Sequence, residues 1–196
     1  MKLLRIRKRN FGLALNLVLI SSFAFSQQLH LSAQKAQLGE VHYSARVGGT
    51  VPSQGDTFLV QVLSKGDILR RIQVGVYQSG GSRVVQAIRF IVEDSVGKLQ
   101  KILIGHADSY WKDEIDVPKG AELIGISGAS GWWIDRIRFH FSDGSSSSDY
   151  GGGRGDTDFH LLLAQRDNKW KGRWLGVWGT HTDYLESLGL IFWPVE

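Results

Sequence analysis

The chain has 196 residues, 24 Gly, seven Trp and no Cys, and it carries 23 Lys and Arg against 19 Asp and Glu. Without cysteine it has neither a disulfide framework nor a thiol for lipid attachment. Five of the basic side chains lie within the first nine residues, so residues 27–196 keep 18 basic against 19 acidic groups, a net charge of −1 that offers no footprint for nucleic acid.

Those first residues set up the earliest predicted element. Lys2, Arg5, Arg7, Lys8 and Arg9 precede a nearly all-apolar run from Phe11 to Phe25, and Ala24-Phe25-Ser26 supplies small residues at the positions a signal peptidase reads. The pattern is that of a secretory signal peptide over 1–26. A membrane span needs about 20 apolar residues, and the polar Gln27-Gln28 closes the run too early for one. The expectation is export, to the medium, the periplasm or the cell surface. Residues 27–40 lack a period and read as a leader or linker; a single domain is expected over 41–196, large enough for its own core.

From residue 41 on, short apolar-alternating runs are separated by Gly, Asp and Ser, the mark of an all-β domain. HYSARV, TFLVQVL, ILRRIQVGVY and VVQAIRFIV form a first set of four strands from His42 to Val92. LQKILIG, DEIDVP, AELIGIS and WWIDRIRFHF form a second, from Leu99 to Phe141. DYGG, TDFHLLLA, GRWLGVWG and YLESLGLIFW form a third, from Asp149 to Trp193. The last strand of each set places large apolar residues at every second position: Ile88, Phe90 and Val92; Ile137, Phe139 and Phe141; Leu188, Leu190 and Phe192. One face of each such strand therefore belongs in a core.

The sets are phased copies. Gly131-Trp132-Trp133-Ile134-Asp135 has weaker counterparts at Ser82-Arg83-Val84-Val85-Gln86, 49 residues earlier, and at Thr182-Asp183-Tyr184-Leu185-Glu186, 51 later. Gly55-Asp56-Thr57 and Gly155-Asp156-Thr157 each begin 31 residues before Gln86 and Glu186, and Gly105-His106-Ala107 begins 30 before Asp135. Three units of about 50 residues imply a pseudo-threefold fold. The serine run 145–148 reads as a hairpin loop leading into Gly151-Gly152-Gly153-Arg154-Gly155. Glycines in an element cost about 0.5–1 kcal/mol each relative to Ala, so this stretch needs either main chain exposed to a ligand or a bulge at a sheet rim.

These motifs resemble the jacalin-related lectins. Gly128 to Ile137 is similar to that family's G-x-x-x-D sugar loop with its preceding G-x-S, Gly179 to Gly189 is a second such stretch, and 151–155 is similar to its glycine loop. The resemblance covers about 41–196 and implies a β-prism I fold: all-β, with three four-stranded Greek-key sheets in pseudo-threefold arrangement. It also implies metal-independent binding of mannose- or galactose-type glycans, with no cofactor. By this resemblance the site comprises Gly131, Trp132, Trp133, Asp135, Gly151, Gly152 and Gly153. A possible second site comprises Thr182, Asp183, Tyr184 and Glu186. Many members keep the intact loop in the last unit; here Thr182 and Glu186 stand there for Gly and Asp, and the intact copy is the middle one.

The chemistry suits the assignment. An ionised Asp135 can accept bonds from adjacent sugar hydroxyls while loop N–H groups donate to the same oxygens, and charge-assisted bonds are the stronger kind. Gly131 lets the main chain approach, an indole can cover the apolar face of the ring, and Thr182 is expected to crowd the second loop. One shallow site of this kind binds a monosaccharide only at about 1 mM, so avidity needs repeated glycans or an oligomer. Ile191 and Trp193 on the last strand are candidate interface residues for a homo-oligomer. Either indole can instead be a core aromatic, and Asp135 can instead be a turn carboxylate. His106, His140, His160 and His181 show no metal-ligand spacing. Two other functions compete: a glycoside hydrolase, for which Asp156 is the visible second carboxylate, and an interaction module that has kept the fold and lost the sugar.

Overall fold

The computed structural model describes residues 41–49, 55–79, 82–106, 108–152, 155–163, 165–166, 169–170 and 172–193. The expected signal peptide and leader, Gly153 and Arg154 lie outside these residues. Val41–Glu196 forms one compact unit. Among the described residues every element is a β-strand, and no helix is long and apolar enough to cross a membrane.

Three antiparallel sheets carry the fold. The first holds β4 (Ile68–Ser79), β5 (Ser82–Glu93), β6 (Leu99–Gly105) and β7 (Trp111–Asp116) in the order β6-β5-β4-β7. The second holds β8 (Leu123–Ser130), β9 (Ile134–Phe141), β10 (Tyr150–Gly151) and β11 (Thr157–Leu162) in the order β10-β9-β8-β11. Each is a Greek key: a central hairpin, a third strand beside the second, and a fourth that returns beside the first. The third sheet repeats the plan with β14 (Arg173–His181) and β15 (Leu185–Trp193) as its central hairpin, β3 (Asp56–Gln61) beside β14, and an outer position beside β15. That outer position is shared by β1 (His42–Tyr43) and β2 (Val47–Gly48), which pair successive stretches of β15. A two-stranded hairpin, β12 (Gln165–Arg166) with β13 (Lys169–Trp170), precedes β14.

All twelve expected strands are present, but their grouping differs from the expected sets. The run 57–63 leaves its sequence neighbours and pairs with β14 as β3, and the runs at 68–77 and 84–92 share a sheet with those at 99–105 and 113–118. The physical reason is that short turns join strands pairwise, so each sheet begins at a central hairpin rather than at the outer strand preceding it. The third sheet is consequently closed by both ends of the chain.

The alternation read from the three copies is the core. Ile88, Phe90, Val92, Ile137, Phe139, Phe141, Leu188 and Leu190 are all buried and belong to one continuous apolar cluster, against which Phe192 packs. Phe90 and Trp174 meet there with ring centroids 5.1 Å apart. The outer faces are polar: Arg71 bridges Glu114 and Asp116, Arg70 pairs with Glu93, and Arg138 with Asp149. One expectation fails here. Ile191 is only 4% exposed, because β1 and β14 flank β15 at that point on both sides, so it is not available to an oligomer interface.

Candidate functional site

Three left-handed glycines hold the rim of the prism together. Gly151 (φ +97°) lies so close to the Asp135 carbonyl that a Cβ would overlap it; Gly48 (φ +87°) stands the same way to Glu186 and Gly105 (φ +86°) to Gln86. The fifth residue of each sequence copy thus faces a left-handed glycine on a neighbouring loop. No side chain fits there, and L-residues seldom adopt that φ. The next residue donates its N–H to the same carbonyl, Gly152 to Asp135 at 3.1 Å and His106 to Gln86 at 3.4 Å. The glycine loop and the hairpin tip are therefore fastened main chain to main chain, and Gly151 and Gly152 are brought beside Asp135.

At the tip, the Gly131 N–H donates to the Trp133 carbonyl at 3.0 Å, and the Thr182 N–H to the Tyr184 carbonyl at 3.0 Å. The two turns are the same. Gly131 has no left-handed φ, and a Cβ on it would meet its neighbours at ordinary contact distances, so Thr182 does not crowd its loop as expected from the sequence. What Gly131 leaves open is space. Oδ2 of Asp135 and Oδ2 of Asp156 lie 3.5 and 3.6 Å from where that Cβ would be. Burial pushes the half-buried Asp135 carboxyl above the ordinary range, a backbone N–H from Gly131 pulls it back, and the charge of Asp156 adds to the upward push. In the last copy, Oε2 of Glu186 lies 2.8 Å from where a Cβ on Gly55, the counterpart of Gly155, would be.

The structure separates the two indoles. Trp132 is 64% exposed, whereas Trp133 is half-buried with its ring centroid 4.9 Å from that of Tyr184. Tyr184 in turn meets Tyr77 at 5.2 Å. Burial raises the Tyr184 phenol, with its neighbour Tyr77 contributing through charge and a side-chain hydrogen bond. An aromatic chain thus joins residues from all three central hairpins, and Trp133 and Tyr184 are members of it rather than open platforms. Asp183 and Thr182 are exposed at the second tip.

The first copy departs most from expectation. Ser82 to Gln86 is no loop but the start of β5, whose hairpin with β4 runs through Ser79↔Ser82 and is four residues longer per strand than β8. Val76, Val84 and Val85 are buried along it, so pairing continues past the rim. The signal was present in the apolar Val74, Val76, Val84 and Val85. This longer hairpin brings Arg83, whose Cδ lies 3.5 Å from the point where a Cβ on Gly152 would be, to the glycine loop of the middle copy. It also walls a groove of about 450 Å³ lined by Tyr77, Gln78, Gln86, Asp108 and Tyr110. Sequence reasoning passed over Tyr77, Asp108 and Tyr110. Among the described residues no group of three or more His, Asp or Glu could hold a metal ion.

No family profile and no curated protein matches the chain in sequence. Solved structures do match in shape. Malaysian banana lectin superposes with a TM-score of 0.60 at 13% identity, over 80% of this chain and 100% of the lectin. The agglutinin of Calystegia sepium gives 0.61 at 17%, over 80% and 98%. A mannose-binding jacalin-related lectin from Ananas comosus gives 0.58 at 18%, over 79% and 99%. The chain therefore has the β-prism fold of the jacalin-related lectins, its three sheets corresponding to the three faces expected from the sequence.

Proposed function

We propose that the protein is an exported lectin that binds neutral glycans of the mannose or galactose type, without metal or enzymatic turnover, at the middle copy of the repeat. The observation that carries the reading is the fastening of the Gly151–Gly152 main chain to Asp135, beside a carboxylate, an open space over Gly131 and an exposed Trp132. Asp135 accepts from vicinal hydroxyls, the loop N–H groups donate, and Trp132 covers the ring. The tip at Thr182, Asp183, Tyr184 and Glu186 is a second, weaker position. The lectin character of the similar structures supports the reading, one of them being described as mannose-binding. Export rests on the basic and apolar composition of residues 1–26.

A glycan-array profile of the purified protein tests this, run beside Asp135→Ala and with chelator present. Chelator-insensitive binding to a coherent glycan class, lost in the variant while its far-UV CD stays β-like, is the expected result. No binding by the folded wild type, even when presented multivalently, leaves an interaction module on the same fold. One observation favours a second reading: Asp156 stands beside Asp135, and glycoside hydrolysis uses two carboxylates about 5–10 Å apart. Turnover of an aryl glycoside abolished by Asp156→Asn is the result that would establish it; none is expected.

A further inference from the structure

The long hairpin of β4 and β5 stands between two recesses of the rim. On the β5 side it meets the middle copy: the stem of Arg83 lies over Gly152, its Cδ 3.5 Å and its Cβ 3.8 Å from where a Cβ on that glycine would be. Arg83 is paired directly with Gln78 across the hairpin, and its Nε–H donates to Gln78 Oε1 at 3.3 Å. Gln78 in turn lines the groove of about 450 Å³, whose opposite wall, Asp108 and Tyr110, lies just before β7 on the other side of β4. From β5 to β7 is two strand spacings, roughly 10 Å. The glycine loop, Arg83, Gln78 and the groove therefore form one continuous track.

The groove is shaped by hydrogen bonds of the main chain. The Val76 N–H donates to the Tyr110 carbonyl at 3.0 Å and the His106 N–H to the Gln86 carbonyl at 3.4 Å, while the buried Ser109 donates from Oγ to the His106 carbonyl at 2.7 Å. Its walls offer two tyrosine rings, Tyr110 70% and Tyr77 40% exposed, the second steadied by Tyr184. Among the described residues the Asp108 carboxylate and the Gln86 side-chain amide have no hydrogen-bond partner. Aromatic faces beside uncommitted polar groups suit a ring that has an apolar C–H face and a border of hydroxyls. An apolar ligand would bury Gln86 and Asp108 unpaired, and an anion would meet the charge of Asp108.

We propose that the ligand is an oligosaccharide rather than a single sugar: one residue sits at Asp135, and the chain runs over Arg83 and Gln78 so that a further residue enters the groove. This rests on the glycan reading of the middle copy and adds the length of the ligand and the place of its second contact. Tyr110 covers the apolar face of the second ring, Gln86 donates to and accepts from its hydroxyls, Asp108 accepts from them, and Arg83 donates to the residue between. The first copy carries Ser82 and Gln86 where the middle one has Gly131 and Asp135. The groove is therefore a weak position by itself, filled by a sugar that the neighbouring site holds close to it at high effective concentration.

Titration calorimetry of the purified protein tests this, with methyl α-mannoside and methyl α-galactoside set against a panel of linear mannose and galactose tetrasaccharides spanning their natural linkages. The expected result is that at least one tetrasaccharide binds at least about tenfold more tightly than its monosaccharide. Tyr110→Ala should bring that tetrasaccharide to the affinity of the monosaccharide and leave the monosaccharide unchanged, whereas Asp135→Ala should remove both. Should Tyr110→Ala not fold, Asp108→Ala, at an exposed position, should show the same split in part. Tetrasaccharides that all bind no more tightly than the monosaccharides overturn the inference and leave the glycan site standing. An equal loss of both ligands in Tyr110→Ala overturns it as well, because a purely structural role gives that result. No binding of any of these sugars removes the glycan reading and the inference with it.

Discussion

The carboxylates of Asp135 and Asp156 converge on one point above Gly131, Oδ2 of each lying 3.5 and 3.6 Å from where a Cβ on that glycine would sit. Two like charges share a partly enclosed space, with Gly131's N–H as the counterweight on Asp135. The arrangement is poor for stability and suited to receiving hydroxyl groups, and three of the following predictions come from that opposition.

Asp135→Asn should bind glycans at least about tenfold more weakly, one lost charge-assisted contact, while melting at a higher temperature than wild type at neutral pH. The sign follows from linkage. Burial raises the folded-state carboxyl above its unfolded value, so the ionised form carries a penalty in the fold at neutral pH. As pH falls through the raised folded value, the folded chain takes up its proton before the unfolded one, and the penalty disappears by the ordinary carboxylate range. The advantage of Asp135→Asn in thermal melts should therefore shrink on acidification over that window.

Asp156→Asn should extend glycan binding to lower pH. Binding needs the ionised Asp135, and the charge of Asp156 helps to keep that carboxyl high. Removing the charge lets Asp135 ionise at a lower pH, so the acid limb of a binding-versus-pH curve measured by titration calorimetry should move down. An unmoved limb would mean that burial alone governs Asp135.

Gly131→Ala and Gly151→Ala should fail in different ways. Position 131 has ordinary φ, and the equivalent turn already accommodates Thr182, so stability should change by no more than about 0.5 kcal/mol. The added methyl enters the space over which the carboxylates converge, and glycan binding should fall. At Gly151, φ is +97° and the Asp135 carbonyl occupies the Cβ position, so Ala there should cost about 1–3 kcal/mol in denaturant melts.

Trp132→Ala and Trp133→Ala should divide the same way. Trp133 pairs with Tyr184 at 4.9 Å and is half-buried; its loss should cost about 1–2 kcal/mol through the ring contact and the apolar area. Trp132 is 64% exposed, so its removal should leave the melt nearly unchanged and weaken glycan binding.

How far the sequence could be read depends on whether a feature is local. The core was legible because Ile137, Phe139 and Phe141 obey a period of two, whatever their strand pairs with. The partition into sheets was not, because the pairing of Phe58 with Gly179 spans most of the chain and no local signal marks it. The middle-copy loop was legible as a glycine, two indoles and an acid. The difference in fate of Trp132 and Trp133 was not, since it is decided by Tyr184 on another hairpin. The copy at 82–86 was misplaced because repeat phasing was set above the buried apolar pair Val84 and Val85, the latter opposite Val76, and the pairing followed those residues.

The sheet built on β14 and β15 takes its outer strands from the opposite end of the chain, so it cannot assemble until the last segment is made. During synthesis in the N-to-C direction, β1, β2 and β3 would emerge first and wait, unpaired, for partners beyond both other sheets. Completion is slow, as for any pairing of high sequence separation. A chain cut short before β14 would present two finished sheets and a set of bare strand edges, the form that aggregates or is degraded. The joined ends thus act as a check on integrity: only a chain that has arrived whole can hide its edges.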